Sequence, residues 1–321
     1  MKVALVGVYP DNTAKKLAAI LPSDQFEVLE IDTSEKYREL TEADCMILRI
    51  FKATADDMDR IKGLRLISRW GVGYDSVDIE AAGKRGILVT NTPGANAYAV
   101  SEHTVLLMLA VYHNLLPHTQ SLQNGVWSKT LFTQQTLNKR LVGLIGGGNI
   151  GRMVAQKVRS FGAEVQYYDA YRLSEETEHK YNMRYVPFET LLRSSDVVSL
   201  HLPLTAESHH LIGQKEFDMM KRGCVLINAA RGGLVDEEAL LQALQTGKIL
   251  GAGIDCVEQE PLPENSPLLS HPNIVITPHI GGETSDIAEM MIPMLAENIL
   301  ALQQNREITC VVNRQLLIIE A

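Results

Sequence analysis

Short apolar runs punctuate the first third of the chain: 2–8 (KVALVGV), 26–31 (FEVLEI), 45–50 (CMILRI), 64–69 (LRLISR) and 87–90 (ILVT). Runs of this length, bounded by polar stretches, read as buried strands. The segments between them, such as 12–20 and 54–61, have helical or loop character. Strands alternating with helices predict βαβ units and a parallel sheet, so this third forms a small α/β domain of its own.

A different pattern follows. Residues 94–116 (GANAYAVSEHTVLLMLAVYHNLL) contain no proline and are almost wholly apolar in their second half. They predict one long buried helix, too polar for a membrane span because it holds Ser101, Glu102, His103 and His113. A second strand series then begins at 141–145 and continues at 163–168, 196–200, 224–229, 249–255 and 274–277. After Gly282 the pattern is helical again to about residue 304. That closing helix, 285–304, belongs to neither series and is free to return to the first. Two α/β domains are expected.

Composition narrows the partners. The 321 residues are 45% hydrophobic and 21% charged, with a net charge of −9, which argues against nucleic acid or an anionic membrane surface. Cys45, Cys224, Cys256 and Cys310 lie far apart without ligand spacing, so they read as buried thiols of a reducing compartment, and no metal site is expected. The apolar run at the start is too short for a secretory leader. A cytoplasmic location is expected.

The second series opens on "LVGLIGGGNIGRMV" at 141–154. Here Gly146-x-Gly148-x-x-Gly151 follows a strand, precedes apolar positions at helical spacing, and is succeeded by the strand AEVQYYD. Such glycines give a tight turn, room for a pyrophosphate and close helix–strand packing. Asp169 ends the next strand, 18 residues after Gly151, where an acid accepts the adenosine ribose hydroxyls and favours NAD over NADP. Arg172 nearby is a caution, since arginine can receive a 2′-phosphate.

Ligands of open α/β sheets bind beyond the carboxyl ends of the strands. Those ends carry Arg231 (NAARGG), Asp255, Glu258 and Glu260 (DCVEQEPLP) and His279 (TPHIGG). Each alone is more often an ordinary surface or structural residue; together on successive strand ends they suit hydride transfer to a 2-oxo acid. Arg231 can grip the substrate carboxylate with two parallel donors. His279 has the pKa of a proton donor to the carbonyl oxygen, and Glu260 would hold it charged and oriented.

The runs "RWGVGYDSVDI", "LIGGGNIGR", "NAARGGLVDEEAL", "GIDCVEQEPLP" and "NIVITPHIGG" together resemble the D-isomer-specific 2-hydroxyacid dehydrogenase family, in order and across nearly the whole chain. The resemblance implies two doubly wound parallel-sheet domains, of Rossmann and flavodoxin-like type, with a cleft between them that closes over the substrate. It places a discontinuous substrate domain at 1–96 plus 285–321 and the NAD-binding Rossmann domain at 97–284. It implies the catalytic set Arg231, Glu260 and His279, and NAD contacts from Gly146, Gly148, Asn149, Ile150, Gly151, Asp169, Ala230, Asp255, His279 and Gly282. Backbone N–H groups of Val72 and Gly73 would receive the substrate carboxylate. A homodimer is also expected, with the helix at 97–116 contributing to its interface.

Substrate choice is less closely written. Arg49 and Arg69 stand where phosphoglycerate members of the family have substrate-facing arginines, so the phosphoglycerate dehydrogenase-like branch is favoured. Against this, "RIFKAT" departs from that branch, and Ile50, Phe51 and Trp70 could wall a more apolar pocket for glyoxylate, hydroxypyruvate or another small 2-oxo acid. Glutamate at 260 argues against a formate enzyme and leaves a phosphite enzyme open. A non-catalytic NAD(H)-sensing binder is the alternative of another class.

Overall fold

The structure, a computed structural model, describes residues 1–317; the closing four residues of the 285–321 segment lie outside the described residues. The chain divides into two compact units, Met1–Asn96 with the chain from Ser285 onward, and Ala97–Thr284.

In the first unit, strands and helices alternate as β1 (Lys2–Val6), α1 (Thr13–Ile20), β2 (Glu27–Ile31), α2 (Ser34–Glu39), β3 (Cys45–Leu48), α3 (Ala55–Arg60), β4 (Leu66–Arg69), α4 (Ile79–Lys84) and β5 (Leu88–Thr90). All pairings are parallel, in the order β2-β1-β3-β4-β5. This is the flavodoxin-like order, with its reversal beside β1. Both faces are covered, so β3 is apolar at every position rather than alternating (Cys45, Met46, Ile47, Leu48). Thr54 starts α3 with a capping box closed by Asp57.

The second unit contains α5 (Ala97–Tyr112), α6 (Leu115–Gln123), β6 (Leu141–Ile145), α7 (Asn149–Ser160), β7 (Glu164–Tyr168), α8 (Glu175–Tyr181), β8 (Arg184–Tyr185), α9 (Phe188–Ser194), β9 (Val197–Leu200), α10 (Gln214–Met219), β10 (Cys224–Asn228), α11 (Glu237–Gln245), β11 (Ile249–Ile254), α12 (Pro267–Ser270) and β12 (Ile274–Ile276). Its seven strands are parallel in the order β12-β11-β10-β9-β6-β7-β8. Counted from β6 this is the dinucleotide-binding order with one strand added, and it reverses between β6 and β9. The closing helix α13 (Ile287–Gln303) packs its Ile287, Met291, Leu295 and Ile299 into the core of the first unit with Leu17 and Leu66.

Two expectations change. The helix expected over 94–116 stops at Tyr112, because Asn114 takes a left-handed conformation (φ 47°) with its amide donating to the Thr133 carbonyl at 2.9 Å. Most of α5 is buried against its own sheet, with Leu107, Met108 and Val111 among Val142 and Ile227. The exposed apolar surface follows it instead, at Leu115, Leu116, Leu122, Val126 and Trp127, the last 82% exposed. Among the described residues, no helix is long and apolar enough to cross a membrane.

Candidate active site

The loop between β6 and α7 has the shape a pyrophosphate requires. A Cβ on Gly146 would lie 2.5 Å from the His201 carbonyl oxygen, and one on Gly151 would lie 2.2 Å from the Gly146 oxygen, so side chains are excluded at both. A Cβ on Gly148 would meet nothing within 4 Å. The N-terminus of α7 therefore opens at Gly148, with its unsatisfied N–H groups available to an anion. Asp169 Oδ2 accepts from Gly147 N at 2.8 Å and its Oδ1 from Tyr171 N at 3.1 Å, which ties the acid to the loop. Asn149 accepts from Arg152 at 2.6 Å, and Ile150 packs against the core.

Arg172 is engaged. Its Nε and Nη2 donate to both oxygens of Glu178 at 2.8 and 2.9 Å, and the Tyr167 hydroxyl donates to the same carboxylate at 2.7 Å. These bonds hold Glu178 down to about 2 and keep it ionised. The residues of this end of the sheet fit an NAD without a 2′-phosphate.

At the carboxyl ends of β11 and β12 one aspartate organises a turn. Asp255 is buried, and its carboxylate accepts from Thr277 Oγ1 (2.6 Å), Ile280 N (2.9 Å) and Gly281 N (2.8 Å). His103, on α5, reaches the same cluster, with Nε2 2.9 Å from Thr277 Oγ1 and 3.3 Å from Asp255 Oδ1. Burial opposes ionisation of Asp255, but the donors from His103, Thr277 and the two amides outweigh it and hold the carboxyl at about 2. Gly282 follows in a turn closed by Glu283 N to Ile280 O at 2.9 Å.

That turn carries His279 in a left-handed conformation (φ 55°), with its N–H on the Asp255 carbonyl at 2.7 Å. A non-glycine residue there needs support, and Asp255 supplies it. The His279 imidazole faces Glu260: Nδ1 lies 2.9 Å from Oε2 and 3.2 Å from Oε1. The Cys256 sulfur and the Glu260 carboxylate raise His279 to about 10 against the opposing effect of burial. Burial also pushes the Cys256 thiol up, so it is protonated at neutral pH and Glu260 is the partner that carries the negative charge. Glu260 is in turn lowered, since His279 and Arg231 outweigh its burial.

Arg231 follows β10, and its turn is built by Asn228. The buried Asn228 side chain accepts from Ala230 N at 3.1 Å and donates to the Arg231 carbonyl at 2.8 Å. Glu258, predicted at the same edge, turns elsewhere: its carboxylate meets His210 Nε2 and its N–H donates to Glu237 at 2.8 Å. Sequence reasoning missed His103, Asn228 and the His210–Glu258 pair. A histidine and three polar residues inside an apolar helix were the available signal for His103.

In the first unit, Arg49 and Arg69 stand at the carboxyl ends of β3 and β4, as expected. Part of their donor capacity goes to the main chain. Arg69 donates to Gly73 O (3.1 Å) and Leu48 O (2.6 Å), and Arg49 to Val8 O, with its guanidinium 5.9 Å from the Tyr9 ring centroid. The Val72 carbonyl accepts from Asn91 at 2.7 Å. Trp70 is not a pocket wall: it is 6% exposed and packs edge-on against Tyr9 in the core. Phe51 stacks on Tyr37, which leaves Ile50, 62% exposed, as the apolar side chain at that edge.

Comparison with known proteins decides the family. Residues 105–281 match the D-isomer specific 2-hydroxyacid dehydrogenase, NAD binding domain. The chain belongs to the D-isomer-specific 2-hydroxyacid dehydrogenase family. Among its relatives, a glyoxylate reductase of Thermofilum pendens is 39% identical over 88% of this chain and 85% of that protein. A D-3-phosphoglycerate dehydrogenase of Archaeoglobus fulgidus is 37% identical over 87% of this chain and 53% of its own length. A solved glyoxylate reductase of Paecilomyes thermophila superposes with a TM-score of 0.85 at 28% identity, covering 98% of this chain and 99% of that one. As a member of the family the protein is an NAD-dependent oxidoreductase that acts on the CH–OH group of 2-hydroxy acids.

Proposed function

We propose that this dehydrogenase reduces a small unphosphorylated 2-oxo acid of the glyoxylate or hydroxypyruvate class, with Arg231, Glu260 and His279 as its catalytic residues. The observation that carries the chemistry is the His279–Glu260 pair, 2.9 Å apart, with the imidazole held protonated at neutral pH. When bound, NADH supplies a hydride to the carbonyl carbon. The residues that would hold it are Gly146, Gly148, Asn149, Ile150, Gly151 and Asp169, with Ala230 and Gly282 at the other strand ends. Asp255 acts on this reading by supporting the His279 turn as well as by facing the cofactor.

His279 uses Nδ1 for Glu260, so Nε2 carries the proton delivered to the carbonyl oxygen. Glu260 stabilises the imidazolium before transfer and fixes the ring's orientation. Arg231 pairs with the substrate carboxylate, held in place by the Asn228 bridge. In the first unit, the amides of Val72 and Gly73 are the candidates for binding a carboxylate.

Small substrates are favoured because Arg69 commits two of its five donors and Arg49 one to main-chain carbonyls, which leaves fewer for a phosphate. Phosphohydroxypyruvate is the second reading, supported by the presence of both guanidinium groups on adjacent strand ends. NADH consumption with glyoxylate, hydroxypyruvate, pyruvate and phosphohydroxypyruvate separates the two. A kcat/KM highest for the phosphorylated acid, and lost in Arg49→Ala, would establish the second.

A homodimer covering Leu115–Trp127 is part of the proposal, supported by the exposed Leu115, Leu116, Leu122, Val126 and Trp127. Cys45, Cys224 and Cys256 are buried as expected while Cys310 is exposed, and four free thiols fit a reducing cytoplasm.

A further inference from the structure

Cys256 has no part in the chemistry just described, yet it is placed against it. Its sulfur, a carboxylate oxygen of Glu260 and a ring nitrogen of His279 all lie within 4.8 Å of one another. The positions are 256, 260 and 279, so no ligand spacing in the sequence signals the set. The turn held by Asp255 creates it: Cys256 follows that aspartate directly, and His279 hangs from its carbonyl. Among the described residues, this is the group of three such side chains that converges.

We propose that Cys256, Glu260 and His279 form an inhibitory binding site for a thiophilic divalent cation of the zinc class. One sulfur, one imidazole nitrogen and one carboxylate oxygen are the donor types zinc takes, and three protein ligands with a water in the fourth place is a familiar coordination. Metal–ligand bonds of about 2.0–2.3 Å in a tetrahedron put donor atoms about 3.3–3.8 Å apart. The donors here lie near that span: the Glu260–His279 contact at 2.9 Å must open slightly, and the sulfur is within 4.8 Å of both. Glu260 and His279 have side chains 41% and 44% exposed, so they have room to adjust and a path for the ion to enter. The buried sulfur forms the floor, 3.5 Å from the Ala230 carbonyl oxygen. The positive charge of Arg231 opposes the cation and sets a limit on its affinity.

Coordination is balanced by proton release. The thiol and the imidazolium each give one proton to solvent, and the metal takes the thiolate, the neutral imidazole and the carboxylate. The proton lost from His279 is the one on Nδ1, so Nε2 keeps its hydrogen but on a neutral, metal-bound ring that is a much weaker acid than the imidazolium, and Glu260 is drawn from the imidazole to the metal. Inhibition follows because the two residues of the proton-transfer pair become ligands.

Cobalt(II) added to the whole enzyme reads the site without any turnover. A sulfur-to-cobalt charge-transfer band is expected, displaced by zinc. Cys256→Ser should lose the band and, relative to its own metal-free rate, need about 10–100-fold more zinc for half-inhibition, the scale on which altered metal sites lose affinity. Circular dichroism and a thermal melt check that this variant is folded. Glu260→Gln keeps the sulfur and should keep the band with weaker binding, which tests the site if Cys256→Ser does not fold. Absence of the band in the wild type, an unchanged band in Cys256→Ser, or equal cobalt affinity in Glu260→Gln would each overturn the proposal. A chelator should restore activity lost to zinc; recovery only with a thiol reductant would mean cysteine oxidation and would overturn it too. The cobalt signal does not depend on which 2-oxo acid is the substrate, so a wrong substrate assignment leaves this test intact.

Discussion

The His279 N–H donates to the Asp255 main-chain carbonyl at 2.7 Å, and the carboxylate of the same aspartate takes the next two amides, of Ile280 and Gly281. One buried residue thus fixes a left-handed histidine from two sides. Asp255→Asn replaces one accepting oxygen by an NH2 group facing donors, so a buried charge-assisted set is broken. A loss of about 2–3 kcal/mol in unfolding free energy is expected from denaturant titration. Turnover should fall with it, because His279 loses its support.

The same aspartate gives the acid limb of stability a sign. Its carboxyl is held at about 2, below the ordinary 3.8. Its contribution is therefore complete above the ordinary value and is lost as pH falls through about 2, a span worth about 2 kcal/mol. Denaturation midpoints between pH 5 and pH 2 should show a drop in the wild type that is smaller in Asp255→Asn.

For His279 the sign is opposite. Its pKa is raised to about 10, so the imidazolium persists through neutrality. The rate of 2-oxo acid reduction should hold from neutral pH upward and fall as pH rises through about 10, while hydroxy acid oxidation rises over the same window. Glu260→Gln removes the carboxylate's part in raising His279 and leaves that of the Cys256 sulfur, so both limbs move toward the ordinary 6.5. Reduction at neutral pH should then fall by roughly 10–100-fold, part of what a positioned proton donor contributes. Profiles of kcat/KM for the two enzymes decide it; coincident profiles would remove Glu260 from the role.

Cofactor choice is expected to depend on Glu178, a residue that touches neither base nor phosphate. Freed by Glu178→Gln, Arg172 becomes available to a 2′-phosphate, and kcat/KM with NADPH should improve by about tenfold, the worth of one charge-assisted contact near 1.4 kcal/mol. Little change with NADH is expected. An unchanged ratio between the two cofactors would show that Asp169 alone sets the preference.

Gly151→Ala brings a methyl group within 2.2 Å of the Gly146 oxygen. Overpacking of this kind costs about 1–3 kcal/mol and shifts the loop. NADH binding, followed by fluorescence, should weaken more than overall stability does. Gly148→Ala, with open space around it, is expected to fold normally and to weaken NADH alone.

How much of this was legible in the chain follows from the range of each interaction. Strands buried on both faces are short apolar runs, so nearly every strand of both sheets was visible as such. Two-residue β8 was not, because Arg184 and Tyr185 carry no pattern. The end of the long helix was misread since nothing apolar or polar marks Asn114 as left-handed. The glycine loop, Asp169 and the trio Arg231, Glu260 and His279 could be named as candidates because each sits at a strand end whose position the pattern fixes.

The sequence by itself determined the two α/β series, the late opening of the nucleotide-binding unit and the family, all of which rest on local periodicity and short motifs in order. Only the tertiary structure decided that Glu258 turns to His210, that Trp70 and Phe51 pack inward, and that Cys256 joins Glu260 and His279. It alone brought His103 to Asp255, 152 positions away by number, and set Glu178 on Arg172. The physical reason is that a side chain's direction and partners depend on turns and close approaches between distant segments. Periodicity reports which face is buried, and not what lies across from it.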